Sequence, residues 1–146
     1  MKRIFLRHGS YDGCPRGMRV LGEKGFWQAE QAGAQLASFA AATDTKIVVS
    51  NCDRTIETAM FLLNPPAAAR AAVAALREAA EKAQALHGER RYAGVELELP
   101  FPLCRDCVEY LPKEWSGYQG DLIFVGHEPA AEKLGLKLSE GQFAEF

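Results

Sequence analysis

The sequence predicts an α/β fold, a three-layer α/β/α arrangement around an open, mostly parallel sheet. Three short apolar runs, "RIFLRH" at residues 3–8, "TKIVVS" at 45–50 and "DLIFVGH" at 121–127, have the length and composition of buried strands. Stretches with apolar residues at helical spacing separate them. Strands alternating with helices close most economically as a parallel sheet covered on both faces.

The first strand runs straight into Arg7, His8 and Gly9. Residues 9–25 hold five glycines and a proline and read as a loop, long enough to carry function. A helix from about Glu23 to Phe39 presents Phe26, Ala29, Gly33, Leu36 and Ala40 on one face. The β-branched run 45–50 is the second strand. A helix follows at once, with Ser50 and Asp53 spaced as a capping pair and Ile56, Ala59, Met60 and Leu63 on its buried side.

Asn64-Pro65-Pro66 stops that helix and starts another over 67–88. There Val73, Leu76, Ala80 and Ala83 form the apolar side, Arg77–Glu81 and Glu78–Lys82 are surface i,i+4 pairs, and Gly88 is the C-cap. Alternation from Val95 to Leu99 predicts a half-exposed strand, and 106–111 a short helix. Leu122 to Val125 are the buried part of the third strong strand, and a short helix runs from Glu128-Pro129 to about Leu134. The tail "SEGQFAEF" is a last short strand or a flap.

A chain of 146 residues is expected to form one domain, 1–146, with a substantial core. Its 17 basic and 19 acidic side chains give a net charge of −2, which argues against a general nucleic-acid binder or a polybasic membrane-surface protein. No apolar stretch is long enough to span a bilayer and no secretory pattern opens the chain, so the expectation is cytoplasmic, with no membrane partner. Of the four cysteines, Cys104 and Cys107 form a lone C-x-x-C; Cys14 and Cys52 could join it only in space, and reduced structural thiols are the simpler reading.

In open parallel sheets the ligand site lies beyond the carboxyl ends of the strands. His8, Arg54 and His127 all fall there, from three remote stretches. Imidazole is a competent nucleophile toward phosphorus, and guanidinium groups match phosphate oxygens. The helix opening near Asp53 and Arg54 adds backbone N–H groups suited to an anion. The third histidine, His87, reads as a helix-end residue.

"LRHG" at 6–9, "LGEKG" at 21–25, "VSNCDRTIETA" at 49–59 and "VGHEP" at 125–129 resemble, in order and spacing, the motifs of the histidine phosphatase superfamily, the phosphoglycerate mutase-like proteins. In its compact size the chain is nearest the short SixA-like phosphohistidine phosphatase branch, while its short C-terminus departs from the family pattern. The resemblance implies that His8 attacks phosphorus and becomes a phosphohistidine. Arg7 and Arg54 hold the non-bridging oxygens, and His127 donates a hydrogen bond to the phosphoryl group. Water then releases phosphate, with no metal or other cofactor. Asp12 is the first candidate for the proton donor, Glu98 the second, and Glu96 is also in reach of that role. Gly9, Ser10, Arg16, Glu98 and Glu128 are candidate substrate-binding residues. Ser10, Cys52 and Glu128 depart from the family pattern, and Glu128 is expected to set a negative charge beside the phosphate. The expected substrate is a small phosphorylated metabolite or a phosphoprotein, and the expected state is a monomer or homodimer. The alternatives are a non-catalytic phosphate-ligand binder of the same fold and a zinc-binding interaction protein built on Cys104 and Cys107.

Overall fold

The computed structural model describes residues 1–13, 19–83, 91–92, 99–104 and 111–146. In chain order the elements are β1 (Arg3–Arg7), α1 (Glu23–Ala41), β2 (Lys46–Ser50), α2 (Asp53–Leu63), α3 (Pro66–Lys82), β3 (Leu103–Cys104), α4 (Lys113–Ser116), β4 (Leu122–Gly126), α5 (Glu128–Lys133) and β5 (Phe143–Glu145).

The sheet order is β3-β2-β4-β1-β5. β1, β2 and β3 run parallel to their neighbours around β4, and only the edge strand β5 is antiparallel, paired with β1. The tail is therefore a strand.

Alternation along each strand builds the two outer layers. Ile4 and Leu6, Ile47 and Val49, and Ile123 and Val125 face one side and pack with α1, α2 and α3. Phe5, Val48, Leu122 and Phe124 face the other and pack with Ala130 and Ala131 of α5 and Trp115 of α4. The central strands are buried on both faces, which is why their sequences read as unbroken apolar runs. Fully burying each such side chain contributes about 1.5–3 kcal/mol.

α1 buries Phe26, Ala29, Gly33, Leu36 and Ala40 as the periodicity predicts, and extends two residues beyond the expected end. Gly33 is needed where α1 crosses α2: a Cβ there would lie 2.2 Å from the Phe61 carbonyl oxygen. Asn64 ends α2, and Pro66 opens α3 at a position that needs no N–H.

Several expectations are corrected. Ser50 does not cap α2: Cys52 occupies the N-cap with no side-chain cap bond, and the Ser50 hydroxyl is used elsewhere. Leu63 is exposed at the end of α2, whose residues 53–62 are all buried. Ala83 is exposed, because α3 has already ended at Lys82. Glu78–Lys82 is the expected surface pair at 2.9 Å, but Arg77 turns inward to a buried glutamate instead of Glu81. Beyond α3 the strand at the edge of the sheet is Leu103–Cys104, and α4 was not anticipated. Gly88, residues 95–98 and residues 106–110 lie outside the described residues. Cys52 and Cys104 are buried free thiols, and Cys14 and Cys107 fall outside the described residues. Among the described residues, no three His, Cys, Asp or Glu side chains gather into a metal-holding group, and no helix is long and apolar enough to cross a membrane.

Candidate active site

Three parallel strands end side by side. Arg7 is in register with Gly126, so His8 and His127 emerge at one level, and Ser50, following Val49 opposite Val125, stands one residue before it. The His8 N–H donates to the Gly126 carbonyl at 3.1 Å, continuing the ladder one step past β1. Arg54 reaches the same place from the first turn of α2.

His8 is buried. Its Nδ1 lies 2.7 Å from the Gly9 carbonyl oxygen, and Arg54 Nε donates to its Nε2 at 3.1 Å. A carbonyl only accepts and a guanidinium only donates, so the proton sits on Nδ1 and the lone pair on Nε2. Burial pulls the imidazole pKa down from 6.5 to about 3, against the Gly9 hydrogen bond, which raises it; the charge of Arg54 lowers it further. The ring is neutral at physiological pH.

His127 follows β4 as the N-cap residue of α5. Arg54 Nη2 lies 3.3 Å from its Nδ1, and its Nε2 lies 3.1 Å from Ser50 Oγ. The two imidazole centroids are 5.1 Å apart with a 60° angle between planes. One guanidinium thus bridges two imidazoles from positions 46 and 73 residues away in sequence.

Gly9 holds the loop in place. Its N–H donates to Thr58 Oγ1 at 3.0 Å, and that hydroxyl donates to the Arg54 carbonyl at 2.7 Å. A Cβ at Gly9 would lie 2.7 Å from the Gly25 carbonyl oxygen, so only glycine allows the loop to lie this close to α1. Ser10 is fully buried. Its N–H donates to Gln28 Oε1 at 2.7 Å, and its hydroxyl accepts the Asp12 N–H at 3.1 Å. Both Gly9 and Ser10 are thereby committed to loop structure. Asp12 is exposed, next to Tyr11.

Arg7 also stands at the strand end, with its fork occupied. Nη1 donates to the Leu138 carbonyl at 2.8 Å, and Nη2 lies 3.3 Å from Glu128 Oε2. The expected negative charge at position 128 is present and is aimed at Arg7. A shallow cleft of about 460 Å³ opens beside this pair, lined by Glu128, Glu132, Lys137, Leu138 and Ser139 among others. Arg16, Glu98 and Glu96 lie outside the described residues, as does His87.

Sequence reasoning missed three participants. Tyr11 places its ring 5.4 Å from the Arg54 guanidinium carbon and 5.9 Å from that of Arg19, within cation–π range at the mouth of the site. Ser50, taken for a cap, is the partner of His127. Glu57 is completely buried on α2 and accepts from Arg77 Nε at 2.7 Å, Arg77 Nη2 at 2.9 Å, the Leu21 N–H at 2.7 Å and the Tyr92 hydroxyl. Burial and the Glu57 carboxylate push the Tyr92 phenol well above its ordinary value. The "LGEKG" segment is therefore pinned to α2 and α3 by one carboxylate. A glutamate three residues after an arginine in a helix's first turn gives no sequence signal for this.

Asp53, beside Arg54 in the chain, is buried and accepts the Tyr92 N–H at 3.1 Å through Oδ1, while Oδ2 has no hydrogen-bond partner. Burial raises its pKa from 3.8 to about 7, with the Glu57 charge adding to the rise against the Tyr92 N–H and Arg91.

No protein-family model matches the chain, and no curated relative matches it. Among solved structures it is similar to a protein of Agrobacterium tumefaciens assigned as phosphohistidine phosphatase SixA, with 15% identity and a TM-score of 0.47, over 99% of this chain and 89% of that one.

Proposed function

We propose that the protein is a phosphatase that hydrolyses a phosphomonoester or a phosphohistidine through a covalent phosphohistidine on His8. The observation that carries this reading is the state of His8: neutral, with its proton held by the Gly9 carbonyl and its Nε2 lone pair facing a guanidinium that a phosphoryl group can take over. Among the described residues at these strand ends, no other side chain is so well prepared as a nucleophile.

In this reading the phosphoryl oxygens draw the Arg54 donors from both imidazoles and leave Nε2 free. The Nε2 lone pair forms a bond to phosphorus as the bond to the leaving oxygen or nitrogen breaks. Asp12, in the exposed loop by Tyr11, gives the leaving group its proton. Water then attacks phosphorus while giving a proton back to the Asp12 carboxylate, the N–P bond breaks, and phosphate departs with His8 and Asp12 restored. Arg54, Arg7 and His127 offset the charge that grows on the phosphoryl oxygens, the kind of fixed electrostatic complementarity that dominates such reactions. This reading needs no metal. Gly9 and Ser10 serve it by holding the loop, and Glu128 by setting how readily Arg7 turns to the anion. Arg16 and Glu98 remain candidates for contact with a small phosphorylated metabolite or phosphoprotein in the cytoplasm, bound by a monomer or homodimer.

The test is hydrolysis of phenyl phosphate with rapid acid-free quenching, comparing wild type with His8→Ala. Turnover and an alkali-stable, acid-labile protein phosphate that both vanish in the variant are expected. Undiminished turnover in His8→Ala overturns the reading. One observation favours a second reading, a phosphate-ligand binder without turnover: the Glu128 carboxylate occupies Arg7. Saturable phosphate binding with no hydrolysis of any ester or phosphoramidate would identify it.

A further inference from the structure

We infer that Ser50 is a positioning residue that lets His127 change which ring nitrogen carries its proton when a phosphoryl group binds; the inference rests on the phosphatase reading above. Ser50 is the last residue of β2 and is fully buried. Its carbonyl accepts the Thr55 hydroxyl at 2.6 Å and the Cys52 N–H at 2.8 Å, so its backbone is fixed and the hydroxyl is its one adjustable polar group.

The free state is decided by donor chemistry. Arg54 Nη2 faces His127 Nδ1, and a guanidinium cannot accept, so Nδ1 carries the lone pair. The proton of His127 is on Nε2 and is donated to Ser50 Oγ. Here Ser50 is an acceptor.

The bound state demands the reverse. Phosphoryl oxygens accept hydrogen bonds, and once they take the Arg54 donors, Nδ1 loses the group that faced it. For His127 to stabilise the anion while neutral, Nδ1 must carry the proton. Nε2 then holds the lone pair and needs a donor. A hydroxyl is both acceptor and donor. A carboxylate or carbonyl at this place would pin the proton on Nε2, and a lysine or arginine would pin the lone pair there. An apolar residue would leave a buried nitrogen unpartnered.

The proton count closes within the site. Nε2 loses one proton and Nδ1 gains one, carried by water that enters with the anion. The Ser50 hydroxyl keeps its own proton and only rotates about Cβ–Oγ. The ring's net charge does not change.

The test uses protein labelled with ¹⁵N at its three histidines. His127 is assigned by the resonances missing from His127→Gln. Long-range ¹H–¹⁵N spectra are recorded free and with orthovanadate. The Nε2–H form is expected in the free protein and the Nδ1–H form in the complex. Ser50→Ala should fail to make the exchange and should bind vanadate about tenfold more weakly, as expected for one lost hydrogen bond in a chain ending on an anion. Ser50→Cys, a weak donor and acceptor of similar shape, should recover part of both.

A bound wild-type His127 that keeps Nε2–H, or that carries both protons, overturns the inference, even if Ser50→Ala cannot be folded. So does a normal exchange with full affinity in Ser50→Ala. A wild-type protein that binds no vanadate sinks the phosphatase reading and this inference with it, whereas binding without the exchange sinks this inference alone.

Discussion

Replacing Asp53 by asparagine should make the protein more stable, and increasingly so as pH rises through neutrality. The carboxyl is fully buried, and only one of its oxygens is hydrogen-bonded. Burial and the neighbouring Glu57 charge raise its pKa from 3.8 to about 7. A carboxyl with a raised folded-state pKa binds its proton more tightly in the folded chain, so ionisation opposes folding. The cost is absent well below the unfolded value, grows as pH rises from about 4 to 7, and is complete above that. At 1.36 kcal/mol per pKa unit, the cost is about 1.5 kcal/mol at pH 5 and about 4 kcal/mol at pH 8. Asparagine keeps an oxygen for the Tyr92 N–H and cannot ionise. The difference in unfolding free energy between variant and wild type should therefore widen by about 2–3 kcal/mol between pH 5 and pH 8. In a chain of this size that widening is about 5–10 °C in melting temperature. The assay is urea and thermal unfolding by circular dichroism at matched ionic strength. A gap that stays constant across this range, or closes at high pH, would refute the argument. It would mean that the carboxylate is accommodated by Arg91 and the Tyr92 N–H after all.

Three further outcomes are expected. Glu128→Gln should tighten phosphate binding about two- to fivefold by calorimetry, a modest gain because the Arg7 contact is half open to solvent and such pairs contribute about 0.2–1 kcal/mol; unchanged affinity would mean that Arg7 does not meet the anion. Glu57→Gln should cost about 3 kcal/mol in urea unfolding, the lower end for a broken buried pair because Arg77 keeps partial access to water. Asp12→Asn should slow the hydrolysis of alkyl phosphates by about a hundredfold while hardly changing that of nitrophenyl phosphate, as general-acid catalysis requires; equal slowing would leave Asp12 a structural role.

The parts of the fold that could be read in the sequence are those fixed by periodicity. β1, β2 and β4 are buried on both faces, so nothing interrupts their apolar runs, and α1 shows its buried stripe directly. The convergence of His8, Arg54 and His127 followed from the same source, because parallel strands deliver their carboxyl ends to one edge. What escaped depends on partners far away in the chain. Arg77 has an equally good local partner in Glu81, and helix spacing cannot show that Glu57 lies beneath it, already holding the Leu21 N–H. Ser50 has the composition of a cap and the geometry of a histidine's partner. Local chemistry was outbid there by a tertiary contact 77 residues away. β3 has two residues, too few for any alternation to register.

In the proposed phosphatase, the free site is a row of hydrogen bonds awaiting an anion. Gly9 O, His8, Arg54, His127 and Ser50 follow one another at 2.7, 3.1, 3.3 and 3.1 Å. Both ends are fixed by backbone, since Gly9 is held by Thr58 and Ser50 by the turn into α2. The middle is a cation that donates to both rings. A phosphoryl group brings negative oxygens, which add a charge–charge attraction and a match to the planar guanidinium fork that a neutral imidazole lacks. The arginine should therefore leave the imidazoles for the anion. In the proposed reaction its departure would expose the His8 lone pair at the moment when phosphorus is within reach. The tautomer of His8 needs no adjustment, because Gly9 has already set it. On the inference above the tautomer of His127 does, and Ser50 is a group in contact with it that can accept in one state and donate in the other. In this sense one end of the row is built to stay as it is and the other to change.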